Sequence, residues 1–269
     1  MIADITEGLI QEYQRDGFLK IASFLDAEET AQLRHAVEIA VSERSERIPG
    51  FADGGIIGDE YYDNVFKQRV NLWRTNDAVR RFILDARIGR LAARLAQQDA
   101  LRLYHDQGLF KAPWANATSW HIDCPYWAFH SRDAISLWIA LEDVTMQSGA
   151  LYFMPGTHRS ARFDNVMIGP NVGDLFRVYP EWASIPATCV QMKAGDASFH
   201  NGLTAHAAGP NMTPGTRHAY AAIFMPDGSR FNGARNVLPQ KLFDALRPGD
   251  LLSDDDFSPV VFSHDQGHH

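Results

Sequence analysis

Apolar and polar positions alternate differently in the two parts of this chain. Over the first hundred residues apolar side chains recur every three or four positions, the spacing that gathers them on one face of a helix. Residues 5–15 carry such a stripe, and Gly17 ends it ahead of the short β-prone run Phe18-Leu19-Lys20-Ile21. Asp26, with Glu29 three places on, reads as a capping box that opens a second helix through Leu33, Val37 and Val41 towards Glu46. A third helix is predicted over 77–98, with Val79, Phe82, Ile83, Ile88, Leu91 and Leu95 on one side. Stripes of this kind belong to packing elements, so the helices are expected to buttress a sheet.

From Leu101 onwards the texture becomes short β-prone runs separated by Gly, Pro and Asn. Strands are predicted over 101–105, 134–141, 150–154, 188–192, 197–200, 203–207 and 217–225. Many short strands with turn signals between them predict a sandwich or barrel. The irregular stretches 48–62 and 162–185 have the length of lids or binding segments, and would contribute Tyr61, Tyr62, Phe163, Phe176 and Trp182.

Composition narrows the reading. A chain of 269 residues with 45% hydrophobic and 11% aromatic content can bury one large core, so a single domain is expected over 1–269. Within it, 1–99 would be helical support, 100–226 the β core and 227–269 a C-terminal extension. The net charge of -8 and the absence of a basic stripe exclude a nucleic-acid footprint. No stretch approaches a membrane span, and residues 1–14 scatter Asp4, Glu7 and Glu12 where a signal peptide would be apolar. Cys124 and Cys189 alone make no disulfide framework, so a reducing cytoplasm is expected.

His121-Ile122-Asp123 is the first piece of chemistry. On a strand, residues two apart share a face, so an imidazole and a carboxylate reach one ion while Ile122 turns away. His-X-Asp is common, and a third ligand decides. Asn201-Gly202 between two β-prone runs predicts a tight hairpin that pairs Phe199 with Thr204 and Ala197 with His206, turning His200 to the other side. On that geometry His206 is preferred to His200, a distinction that a longer turn would remove. Two histidines and a carboxylate form the facial triad that holds non-haem Fe(II) with three positions open. Arg217 follows His206 across the turn-prone 209–215. Antiparallel strands there would leave the two roughly 5–8 Å apart at Cβ. A guanidinium so placed suits the far carboxylate of a five-carbon diacid whose other end chelates the ion.

These residues, together with 137–143 (LWIALED), 149–158 (GALYFMPGTH) and Gly195-Asp196, resemble the phytanoyl-CoA dioxygenase family of Fe(II)- and 2-oxoglutarate-dependent oxygenases. The likeness runs from about Leu101 to Met225 and is weaker in the N-terminal helices. It implies a mainly β fold with N-terminal helices, its core a double-stranded β-helix (jelly roll, cupin-like) with iron in its mouth. By position, His121, Asp123 and His206 match the metal ligands and Arg217 the residue that binds the far carboxylate of 2-oxoglutarate. Trp138 and Gln107 fall where the family contacts the co-substrate, and Trp138 shares a strand face with Ser136 and Ala140. The hydroxyl residue often found two places after the distal histidine is Ala208 here, which removes one such contact.

The implied cofactors are Fe(II), with 2-oxoglutarate and O2 as co-substrates. The implied chemistry couples release of succinate and CO2 to oxidation of a C–H bond, with hydroxylation the default. Trp120, Tyr126, Trp127 and Phe129 flank the ligands, and Lys111, Arg69 and Asn201 are candidate polar contacts, suggesting a small, largely apolar metabolite of secondary-metabolite type. The acidic balance disfavours a polyanionic coenzyme A ester. Two other classes stay open: a cupin-like metal-dependent enzyme of another chemistry, and a non-catalytic jelly-roll binding protein.

Overall fold

Local capping sets the helical layer. In α1 (Glu7–Asp16) the Thr6 side chain accepts from Leu9 N, and Gly17, at φ 81, ends the helix in the left-handed region and turns the chain into β1 (Phe18–Ile21). The capping box at the start of α2 (Ala27–Glu43) is present: Glu29 N donates to Asp26 Oδ1 at 2.8 Å and Asp26 N to Glu29 Oε2 at 3.0 Å. The helix expected over 77–98 is instead two, α3 (Asp77–Ile83) and α4 (Ala86–Ala96). Asp85 divides them by accepting from Arg87 N and so starting a new helix. The apolar stripe spans the break because both helices pack into the same core.

The computed structural model describes residues 1–2, 4–43, 51–52, 55–56, 61 and 65–264. Two sheets follow. The larger, seven-stranded, has the order β1, β10 (Ala197–Asn201), β7 (Ile135–Ala140), β12 (Arg217–Pro226), β5 (Ala100–Lys111), β13 (Val260–Ser263), with β4 (Lys67–Val70) also on β5. The smaller has the order β6 (Thr118–His121), β11 (His206–Ala208), β8 (Leu151–Phe153), β9 (Thr188–Val190). A two-stranded ribbon, β2 (Phe51–Ala52) with β3 (Gly55–Ile56), stands apart. The architecture is a double-stranded β-helix with helices against one face. Alternation along the strands divides the interior. Leu137, Ile139, Phe199 and Phe224 join Val37 and Leu91 in the core beneath the helices, while Ser136 and Trp138 face a cavity between the sheets.

The chain crosses between sheets twice where hairpins are expected. Asn201-Gly202 makes no hairpin: β10 lies in the larger sheet and β11 in the smaller. Asn201 Nδ2 donates to Arg132 O and Gly202 N to Ala134 O, so the turn is bound to the neighbouring connection and its two arms diverge. Phe199 therefore pairs with Leu137 and Leu19, and His200 with Ser136 and Phe18. Arg217 pairs with Lys111, because β12 too belongs to the larger sheet. The segment expected as an extension supplies β13, whose Ser263 pairs with Ala100. Among the described residues no helix is long and apolar enough to cross a membrane.

Candidate active site

β6 and β11 lie antiparallel with His121 directly opposite His206, so the pairing itself brings two imidazoles together, ring centroids 4.1 Å apart. Asp123 is not on the strand as expected. It lies beyond the end of β6, at φ -80 and ψ -43, heading the short turn Cys124–Tyr126. Its amide donates to Gly202 O at 3.0 Å, which ties this curl to the crossing between β10 and β11. The curl carries its carboxylate to the imidazoles, with Oδ1 3.4 Å from His121 Nε2 and 3.7 Å from His206 Nε2. One ligand atom from each of the three residues lies within 4.8 Å of the others.

The outer nitrogens fix the tautomers. His121 Nδ1 is 2.8 Å from Ser119 O and His206 Nδ1 is 3.0 Å from Thr204 O. A carbonyl only accepts, so each Nδ1 carries the proton and each Nε2 turns a lone pair inward. Burial, with the neighbouring His121 imidazole adding to it, pushes the His206 pKa down to about 3, keeping the neutral form that binds metal. Burial alone would raise the Asp123 carboxyl; the imidazoles of His206, His121 and His200 outweigh that and hold it well below the usual carboxylate range. Two neutral nitrogens and an anionic oxygen are a donor set for a divalent ion such as Fe(II).

The cavity, about 310 Å³, continues from these ligands past Trp138 and Gln107 to Arg217. Arg217 is 3% exposed, its guanidinium stands 5.2 Å over the Trp138 ring, and its Nε and Nη1 make no hydrogen bond within the protein. Burial lowers its pKa to about 10, against an opposing pull from Glu142, so it is a cation at neutral pH. A buried cation with unpaired donors needs an anion. The carboxylate of 2-oxoglutarate supplies one, so the residues present fit both groups. Arg217 and His206 face this space from opposite sheets, not as neighbours on paired strands.

Of the residues suggested for substrate, Tyr126 and Trp127 line the cavity. Phe129, Lys111, Arg69 and Asn201 do not. Phe129 packs edge-on against Tyr104 at 4.9 Å, and Asn201 holds the crossing turn, its Oδ1 accepting from Leu203 N at 2.8 Å. On β4 the alternation turns Gln68 inward and Arg69 away. Lys111 is buried with Nζ on Asn116 O, and burial together with Arg217 drives its pKa down to about 6. From 162–185 the cavity receives Met167 and Ile168, whereas Trp182 stacks on Tyr179 at 3.8 Å, Phe176 meets Trp120 and Phe163 meets His130. Tyr61 donates to Ala117 O; Tyr62 and most of 48–62 lie outside the described residues. His105, Gln68 and Asn236 also line the cavity without having been singled out from the sequence, and so does His200, which the expected hairpin turned to the other side. His105 was within reach, two places before Gln107 on one strand; Asn236 carries no such signal.

A facial triad opening into a jelly-roll cavity defines a non-haem iron oxygenase of the 2-oxoglutarate-dependent class. The model of the phytanoyl-CoA dioxygenase (PhyH) family matches residues 13–219, and the chain belongs to that family. It is 25% identical over 214 residues to a probable alpha-ketoglutarate-dependent hypophosphite dioxygenase of Stutzerimonas stutzeri, covering 75% of this chain and 72% of that protein. It is 24% identical to the ectoine dioxygenase of Nocardia farcinica, covering 93% of this chain and 86% of that one. Among solved structures, the alpha-ketoglutarate-dependent carbocyclase SnoK from nogalamycin biosynthesis superposes with a TM-score of 0.77 at 25% identity, covering 96% of each chain. The epimerase SnoN, crystallised with Fe3+, alpha-ketoglutarate and nogalamycin RO, gives 0.74 at 26% identity, covering 95% of this chain and 98% of its own.

Proposed function

We propose that the protein hydroxylates an unactivated C–H bond of a small, largely apolar metabolite, with Fe(II) held by His121, Asp123 and His206 and 2-oxoglutarate anchored by Arg217. The observation that carries this reading is one cavity shared by three converging ligand atoms and a buried guanidinium whose Nε and Nη1 have no partner. Fe(II) with 2-oxoglutarate and O2 supplies the oxidation, releasing succinate and CO2. The chain's part is orientation. Ser119 O and Thr204 O keep Nε2 of each histidine unprotonated, Arg217 would bind the far carboxylate of the co-substrate, and Trp138 lines the cavity beside that guanidinium.

Charge supports an uncharged substrate. Among the described lining residues the permanent charges are Asp123 and Arg217, and both are already engaged. No second cation there is free for an anion such as hypophosphite, the substrate for which one relative is named. Tyr126, Trp127, Met167 and Ile168 offer apolar surface, and Gln68 and Asn236 offer hydrogen bonds.

A second reading within this chemistry is favoured by the likeness to SnoK and SnoN, described as a carbocyclase and an epimerase. Ring closure and epimerisation differ from hydroxylation in what happens after hydrogen is removed. The experiment is a succinate-release assay across a metabolite library with product masses measured. One added oxygen supports hydroxylation, loss of two hydrogens ring closure or desaturation, and an unchanged mass epimerisation. Anaerobic Fe(II) and 2-oxoglutarate should give a weak visible charge-transfer band; folded, iron-loaded protein without that band overturns the proposal.

A further inference from the structure

A third imidazole, which is not a member of the ligand cluster, stands on the far side of the Asp123 carboxylate. Oδ1 faces His121 Nε2 and His206 Nε2, whereas Oδ2 faces His200 Nε2 at 3.5 Å. The two carboxylate oxygens therefore have different surroundings. We propose that His200 is a positioning residue that occupies Oδ2 and holds Asp123 in a one-oxygen binding mode. This rests on the metal-site reading above.

His200 has little freedom to do anything else. It is 4% exposed, its backbone is paired on both sides in β10, and its ring lies 5.3 Å from Phe153 and 4.7 Å from His206. Neither ring nitrogen makes a hydrogen bond within the protein. A buried donor left unpaired is destabilising, and a small approach of Nε2–H to Oδ2 satisfies it. His200 differs from the two ligand histidines in a second respect. Each of those has Nδ1 fixed by a carbonyl, and His200 has no such partner, so nothing reserves its Nε2 lone pair for a metal.

The consequence concerns coordination number. A carboxylate free to rotate offers both oxygens to a metal and closes one of the positions that a chelating keto acid and O2 require. A donor on Oδ2 withholds that oxygen and leaves Oδ1 for the ion.

The test uses apo-protein and Co(II) alone, with binding read by titration and by the d–d absorption of the bound ion, so activity is not involved. H200L and H200F remove the donor, H200Q retains one, and H206A is the control for the site itself. H200L and H200F are expected to change the d–d spectrum of bound Co(II) as Oδ2 joins its coordination, with the affinity shifted about tenfold. H200Q is expected to recover most of the affinity and the wild-type spectrum. Wild-type affinity and spectrum in a folded apolar variant would overturn the proposal, as would H200Q behaving like H200L. Should neither apolar variant fold, H200N, whose amide is one carbon too short to reach Oδ2, replaces them in the comparison. If H206A also binds Co(II) as the wild type does, it is the metal site that has been misassigned.

Discussion

The side-chain amide of Asn165 meets both polar groups of Ile122: its Nδ2 donates to Ile122 O, and Ile122 N donates to Asn165 Oδ1 at 3.5 Å. Ile122 is the residue between His121 and Asp123. Nearby, Gly169 N donates to Ser119 Oγ, Trp120 N to Val172 O and Tyr126 Oη to Val166 O. The segment that brings Met167 and Ile168 to the cavity and the segment that brings His121 and Asp123 to it are thus one hydrogen-bonded unit. Asn165→Ala should weaken Fe(II) or Co(II) binding to apo-protein by about tenfold, with the fold retained. Titration beside a thermal melt checks this, and unchanged affinity would mean that the ligand pair holds its shape unaided.

Arg217→Ala should raise the 2-oxoglutarate concentration for half-maximal turnover by about a hundredfold or more, because two charge-assisted hydrogen bonds are lost. Metal affinity should not change. Arg217→Lys should recover only part, since an ammonium cannot present two parallel donors. Co-substrate saturation curves, with metal titrations alongside, decide it.

Lys111 predicts a pH dependence of stability. Its pKa falls from 10.5 to about 6 on folding, so between those values the unfolded chain binds a proton that the native state does not. Stability is therefore lost as pH falls through this window and rises as pH climbs back. Lys111→Met removes the group, and the difference in unfolding free energy between pH 9 and pH 7 should shrink. Urea melts at the two pH values measure it; an undiminished difference would show that Lys111 is charged in the native protein.

Gly17→Ala should cost about 2–4 kcal/mol and lower the melting temperature by roughly 5–10 °C. Gly17 adopts φ 81, a new Cβ would collide with His158 Nδ1 and Thr204 Oγ1, and Gly17 O accepts from Asn201 N and Thr204 Oγ1. The same glycine thus ends a helix and holds the crossing that delivers His206. Calorimetry of the variant, with Co(II) affinity measured below its melting point, separates the two effects.

The cluster of His121, Asp123 and His206 was legible because its chemistry is written in residue type: two imidazoles and a carboxylate brought together are a donor set for a divalent ion. Their geometry was less legible. Period-two alternation shows which face a residue takes but not which sheet its strand joins, so Asn201-Gly202 resembled a hairpin although its arms enter different sheets. His206 was preferred for a reason that does not hold, and His200 was turned away from a cavity that it lines. The phase of Trp138 was legible, because Ser136, Trp138 and Ala140 alternate with Leu137 and Ile139, which turn to the core beneath the helices. Lys111 and Arg69 misled because charge alone does not reveal that a side chain folds back onto a carbonyl, as Lys111 does on Asn116 O and Arg69 on Gln68 O. The break at Asp85 was hidden by a stripe that both helices continue.

Two short strands from distant parts of the chain lie along one flank of β5. β4 covers Gln107 to Phe110, and β13 covers Ala100 to Arg102. Each shields amides and carbonyls that would otherwise invite another molecule to zip on. The last described strand therefore closes an otherwise open edge of the larger sheet, and its removal would be felt first as lost solubility.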